Sequence, residues 1–79
     1  MQRDELDQAL LAAHADHDIA ELVRLYTVAA ETAEADDDVE AANFFLTHAF
    51  VFALEGGAPE AAPLNQRLAA RGCAKLLEF

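Results

Sequence analysis

The longest apolar-rich stretch is Val39-Glu40-Ala41-Ala42-Asn43-Phe44-Phe45-Leu46-Thr47-His48-Ala49-Phe50-Val51-Phe52-Ala53-Leu54-Glu55. Val39, Ala42, Leu46, Ala49, Phe50 and Ala53 recur at helical spacing and form one apolar stripe. Ala41, Phe45, His48 and Phe52 form a second, widened by Phe44 and Val51. A helix that is apolar nearly all round belongs at the centre of a fold. Asp38 can accept hydrogen bonds from the free amides of its first turn. Gly56-Gly57 supply a stop that tolerates positive φ. The stretch therefore predicts a central helix over 39–55.

Similar punctuation recurs on either side, about every 20 residues. His17-Asp18 precedes Ile19, Asp37-Asp38 precedes Val39, and Gly57-Ala58 precedes Pro59. The pattern predicts helices over about 4–15, 19–35, 39–55 and 63–71, with a tail at 73–79. In the first, Leu6, Leu10 and Ala13 share a stripe, with Leu11 beside it. In the second, Ile19, Leu22, Val23, Tyr26, Ala29, Ala30 and Ala33 form the buried face, and Asp18 with Glu21 resembles a capping box. Glu31, Glu34 and Asp36 crowd the negative end of that helix, which must fray or be held by an arginine from elsewhere. Replacing either Glu31 or Glu34 by alanine is expected to change stability by no more than about 0.5 kcal/mol. Pro63 disfavours helix at Ala62, so residues 59–62 are expected to be irregular and the fourth helix to start at Pro63. Leu64, Leu68 and Arg71 share one side of it, and Gly72 ends it.

These elements make one all-α domain, residues 1–79, of two antiparallel helical hairpins. The composition agrees. Apolar types are 54% of the 79 residues and charged types 25%, a globular balance. Nineteen alanines against three glycines bias the backbone to helix. The single cysteine, Cys73, leaves no internal disulfide and no cysteine zinc cage.

The net charge is −10. Residues 1–40 hold twelve acids and two arginines, whereas residues 41–79 balance three acids against three bases. A nucleic-acid binder needs the opposite sign to displace counterions, and so does a protein that docks on anionic lipid. No apolar run approaches the roughly 20 residues of a membrane span. The first residues, Met1-Gln2-Arg3-Asp4-Glu5, are too polar for a signal peptide, and a cytoplasmic location is expected. The acidic half reads as a solubility device, as a docking face for a basic partner, or as adaptation to salt, since Lys75 is the sole lysine.

Several side chains could carry chemistry, and each has a plainer reading. His14 and His17, flanked by Asp16 and Asp18, could hold zinc or nickel, but the acidic turn between two helices is better read as a polar surface turn. Asp36-Asp37-Asp38 lacks the glycine and terminal glutamate of an EF-hand loop and reads as a helix cap. His48 lies among Phe45, Phe52 and Ala41 with no nucleophile or carboxylate at helical spacing, so it reads as a core or interface residue. Tyr26 reads as a buried ring whose hydroxyl finds a partner. Cys73, beside Arg71 and Lys75, reads as a small apolar plug rather than a reactive thiol. The phenylalanines read as core before they read as a cofactor or acyl pocket. No catalytic residue, metal ligand or cofactor is expected.

Leu22 and Tyr26 stand four apart, and Ala42, Leu46 and Ala49 follow the spacing 0, 4, 7. With short acidic turns and small residues at the crossing, residues 18–59 resemble a tetratricopeptide-type repeat. The chain departs from that pattern in lacking tryptophan and a Leu-Gly pair, in Val23 at the glycine position, and in a late closing proline, Pro59. The resemblance implies stacked helical hairpins and a role in protein–protein interaction without catalysis.

The expectation is a non-catalytic interaction or scaffold module that binds a protein and pairs with itself as a homodimer, without nucleic acid or membrane. Phe44, Val51, Phe52, Leu76, Leu77 and Phe79 are the candidate contact residues. The alternatives are a ligand carrier or enzyme with a pocket near His48 and Tyr26, and an acidic regulator that mimics a polyanion.

Overall fold

The computed structural model describes residues 3–72, all of them in helices or the short turns between helices. The order is α1 (Arg3–Ala15), α2 (Ile19–Ala35), α3 (Val39–Gly56) and α4 (Ala61–Ala70). No strand occurs among the described residues. The candidate contacts Leu76, Leu77 and Phe79 lie outside them, as does Cys73.

One turn geometry, repeated, lays the helices side by side. At the end of α1, the Asp18 amide donates to the Ala13 carbonyl and the His17 amide to that of His14. At the end of α2, Asp38 donates to Ala33 and Asp37 to Glu34. At the end of α3, Ala58 donates to Ala53 and Gly57 to Leu54. This paired pattern closes a helix through one residue in the left-handed region. That residue is His17 (φ 52°), Asp37 (φ 58°) and Gly57 (φ 62°) in turn. The following aspartates, Asp18 and Asp38, then cap the next helix by accepting from the Glu21 and Ala41 amides. Helix capping thus accounts for Asp18 and Asp38 in the acidic turns.

The third turn carries no side-chain cap, and here the structure departs from expectation. The fourth helix begins at Ala61, not Pro63, and ends at Ala70. Pro63 falls in the first turn, where no amide has an intrahelical partner to lose. The first such bond runs from Leu64 to the Glu60 carbonyl.

Helices α2 and α3 pack most closely, α1 lies on α2, and α4 lies on α3. Alanines set the central approach: Ala30, Ala42, Ala49 and Ala53 have exposures of 3% or less. At the far end of the same pair, a Cβ on Gly56 would come within 2.8 Å of Ile19 Cγ2. One core joins α2, α3 and α4 through Val23, Leu46, Phe50, Leu64 and Leu68. A second joins α1 and α2 through Leu6, Ala13, Leu22, Leu25 and Ala29. Leu25 is fully buried although the single-stripe reading of α2 left it out, because α2 is covered on two sides. Asn65 of α4 is also fully buried, and no buried side-chain nitrogen or oxygen among the described residues lacks a hydrogen-bond partner.

The strained end of α2 is held from α4. Arg67 Nη2 donates to Glu34 Oε1 at 3.0 Å, and Arg71 pairs with Glu34 Oε2. Arg71 Nη1 also donates to Asn43 Oδ1 at 2.9 Å, tying α4 to α3. The resulting array measures 33 × 30 × 13 Å, too shallow to enclose any helix on every side.

Candidate interaction surfaces

The two stripes of α3 meet different fates. Ala42, Leu46, Ala49, Phe50 and Ala53 are buried against α2 and α4. Val39, placed in that stripe by its spacing, is instead 63% exposed at the first position of the helix. Phe45, His48 and Phe52 are half-buried, and Phe44, Val51 and Leu54 stay exposed at 57%, 47% and 45%.

The half-buried group forms an aromatic cluster across three helices. Tyr26 of α2 stacks on Phe52, with centroids 5.7 Å apart and planes 15° apart. It also lies 5.2 Å from the His48 ring. The Tyr26 hydroxyl is hydrogen-bonded to His14 Nε2 at 3.0 Å, and the His14 ring meets the Phe52 ring edge-on at 5.7 Å. Burial pushes the Tyr26 phenol above its ordinary pKa. His48 Nδ1 donates to the Phe44 carbonyl at 2.9 Å. His14 and His48 are thereby engaged with their own chain. No group of three or more His, Cys, Asp or Glu among the described residues could hold a metal ion.

Phe52, counted from sequence as a contact residue, faces mainly into this cluster. The outward row is instead Phe44, Thr47, Val51 and Leu54, with steps of three, four and three. That is the a/d spacing of a two-helix seam. Leu54 lies outside both apolar stripes, and the heptad step from Thr47 is the sequence signal that places it in this row. The polar groups along the row are already satisfied. Thr47 Oγ1 donates to the Asn43 carbonyl at 2.8 Å, which leaves its methyl free to pack. Thr47, His48, Val51 and Phe52 surround a dimple of about 140 Å³.

A second concavity lies on another side of the molecule. Helices α1 and α3 both flank α2 but have no close backbone contact with each other. Their C-terminal parts meet through His14 and Phe52, and a gap lies between their N-terminal parts. The gap is a groove of about 260 Å³. Ala29, Thr32 and Ala33 floor it, and Leu10 of α1 and Phe45 of α3 face across it. Asp7, Asp36 and Asp38 stand at its edge.

No protein-family model, no curated protein and no solved structure matches the chain. No helix among the described residues is long and apolar enough to cross a membrane.

Proposed function

We propose that the protein is a non-catalytic interaction module, a short tetratricopeptide-like array of helices that pairs with a second copy through the outer face of α3. The observation that supports this reading is the exposed row Phe44, Thr47, Val51 and Leu54. A narrow a/d row is the width that one further helix covers at a shallow crossing angle. Its positions are also symmetric about residue 49. An antiparallel copy would set Phe44 against Leu54 and Thr47 against Val51. Such a contact is the same patch on both partners, as a two-fold axis requires.

Charge favours the same pairing. The row lies within residues 41–79, whose charges balance, while the whole excess of −10 belongs to residues 1–40. In the antiparallel register Glu55 faces Asn43 rather than another carboxylate. The dimple beside Val51 offers a hole for a side chain of the partner. The carrier reading has less support. The space beside His48 is about 140 Å³, below the roughly 300–1,000 Å³ of small-molecule sites, and the Tyr26 hydroxyl is taken by His14.

Light scattering over a tenfold dilution tests the proposal. The wild type should fall from twice 8.5 kDa toward 8.5 kDa, and the double variant Phe44→Glu/Val51→Glu should stay at 8.5 kDa with its helical circular dichroism intact. A wild-type mass fixed at 8.5 kDa at high micromolar concentration rules the dimer out.

A further inference from the structure

We infer that the groove between α1 and α3 binds a basic, apolar segment of a partner protein. The inference deepens the reading of the protein as an interaction module, but it concerns a surface separate from the α3 row and does not need the dimer.

Shape is the first argument. The groove is walled by two helices and floored by a third, and its floor residues Ala29 and Ala33 are small. Small floor residues let a guest side chain approach the α2 backbone. The Tyr26, His14 and Phe52 rings fill the space between the helices toward their other ends, where Tyr26 lies 6.3 Å from the Phe45 ring. A guest side chain entering the groove therefore rests on Leu10, Ala33 and Phe45, apolar groups that it can desolvate.

Charge is the second argument. Asp7, Asp36 and Asp38 edge an otherwise apolar site, from α1, the end of α2 and the start of α3. Asp38 spends Oδ1 on the Ala41 amide as a cap. Among the described residues, no ion pair involves Asp7 or Asp36. The arginines of α4 are directed to Glu34 instead. Among the described residues, the edge thus presents carboxylates with no cationic partner, beside a floor that favours carbon. A lysine or arginine matches both, because its methylene stem lies on apolar surface while its head stays at the charged edge. A neighbouring leucine or phenylalanine on the same helical face of the guest would fill the floor. Acids at the groove also steer such a guest and repel acidic competitors.

The test uses the full chain and a fluorescein-labelled helical peptide of leucine and lysine only, read by fluorescence anisotropy. The peptide should saturate the wild type, and Asp7→Lys/Asp36→Lys should weaken it by tenfold or more. The equal-charge control Asp16→Lys/Glu31→Lys should change affinity by less than threefold. Replacing every leucine of the peptide by serine should also weaken binding by tenfold or more. Equal losses for the groove and control variants would overturn the inference, since only net charge would then be at work. Binding that survives the loss of leucine, or that spermine reproduces, would overturn it as well. The monomeric Phe44→Glu/Val51→Glu variant separates the two proposals: it should retain peptide binding. Loss of the peptide in that variant places the site on α3 and overturns the groove. A fixed mass in dilution, with the peptide still bound, removes the dimer alone.

Discussion

The two faces of α3 are nearly equal in apolar content and unequal in what the fold does with them. On the inner face, Leu46, Ala49 and Ala53 are fully buried, held by close contact with α2 and α4. On the outer face, Phe44 and Val51 remain about half exposed beside Leu54. Alanine content separates them. The inner face alternates small and large residues, so backbones approach and a leucine or phenylalanine fills each gap. The outer face has no alanine in its a/d row and presents side chains that project. Hydropathy marks both as candidates for burial, and only the small residues show which face packs against its own chain.

The largest expected effect is on the inner face. Leu46→Ala should cost about 2–5 kcal/mol in a denaturant titration. Val51→Ala, in the monomeric state, should change stability by no more than about 0.5 kcal/mol. Equal losses would mean that the faces do not differ as described. Ala49→Leu should cost about 1–3 kcal/mol, because the extra carbons have no room at the crossing. If Ala49→Leu is neutral, alanine does not distinguish the faces.

The next effect concerns α4, which covers one edge of the inner face. Asn65→Ala should cost about 1–3 kcal/mol, since it removes a fully buried amide whose hydrogen-bonding is satisfied in the fold. Glu34→Ala should cost about 1 kcal/mol, the upper range for partly exposed ion pairs, because Arg67 of α4 and Arg71 at its C-cap converge on it. Glu31→Ala should cost less than about 0.5 kcal/mol. The residues look alike in the sequence, and thermal melts of the two variants should separate them.

The smallest effect is at the turn that delivers α3. Asp37 has φ 58° where Gly57, at the equivalent place, has φ 62°. Asp37→Gly should stabilise the fold by about 0.5–1 kcal/mol, since a left-handed conformation costs a Cβ-bearing residue and not glycine. Gly57→Ala should move melting the opposite way.

Much of this arrangement was legible before any coordinates. The recurrent punctuation fixed α2 and α3 to within a residue, because capping aspartates and left-handed stops are local chemistry. Even the rescue of Glu34 by an arginine follows from the unfavourable charge at a helix end. Leu25 and Asn65 were not legible, since their burial depends on which helix lies on which side. The start of α4 was misread because the rule against helix before proline is weak in a first turn that needs no amide. Among the surface residues, Phe44 and Val51 are legible as the apolar flank of the second stripe, whereas the groove depends on how α1 and α3 are placed on α2, which no single helix encodes.

The central claim is that the outer face of α3 is a contact with a second copy. Isotope-filtered nuclear Overhauser spectroscopy tests it most directly, on a sample mixing labelled and unlabelled protein at high micromolar concentration. Intermolecular signals are expected from the Phe44 ring to the Leu54 methyls and from Thr47 to Val51. Intermolecular signals confined to other residues, or none at all, would contradict the claim.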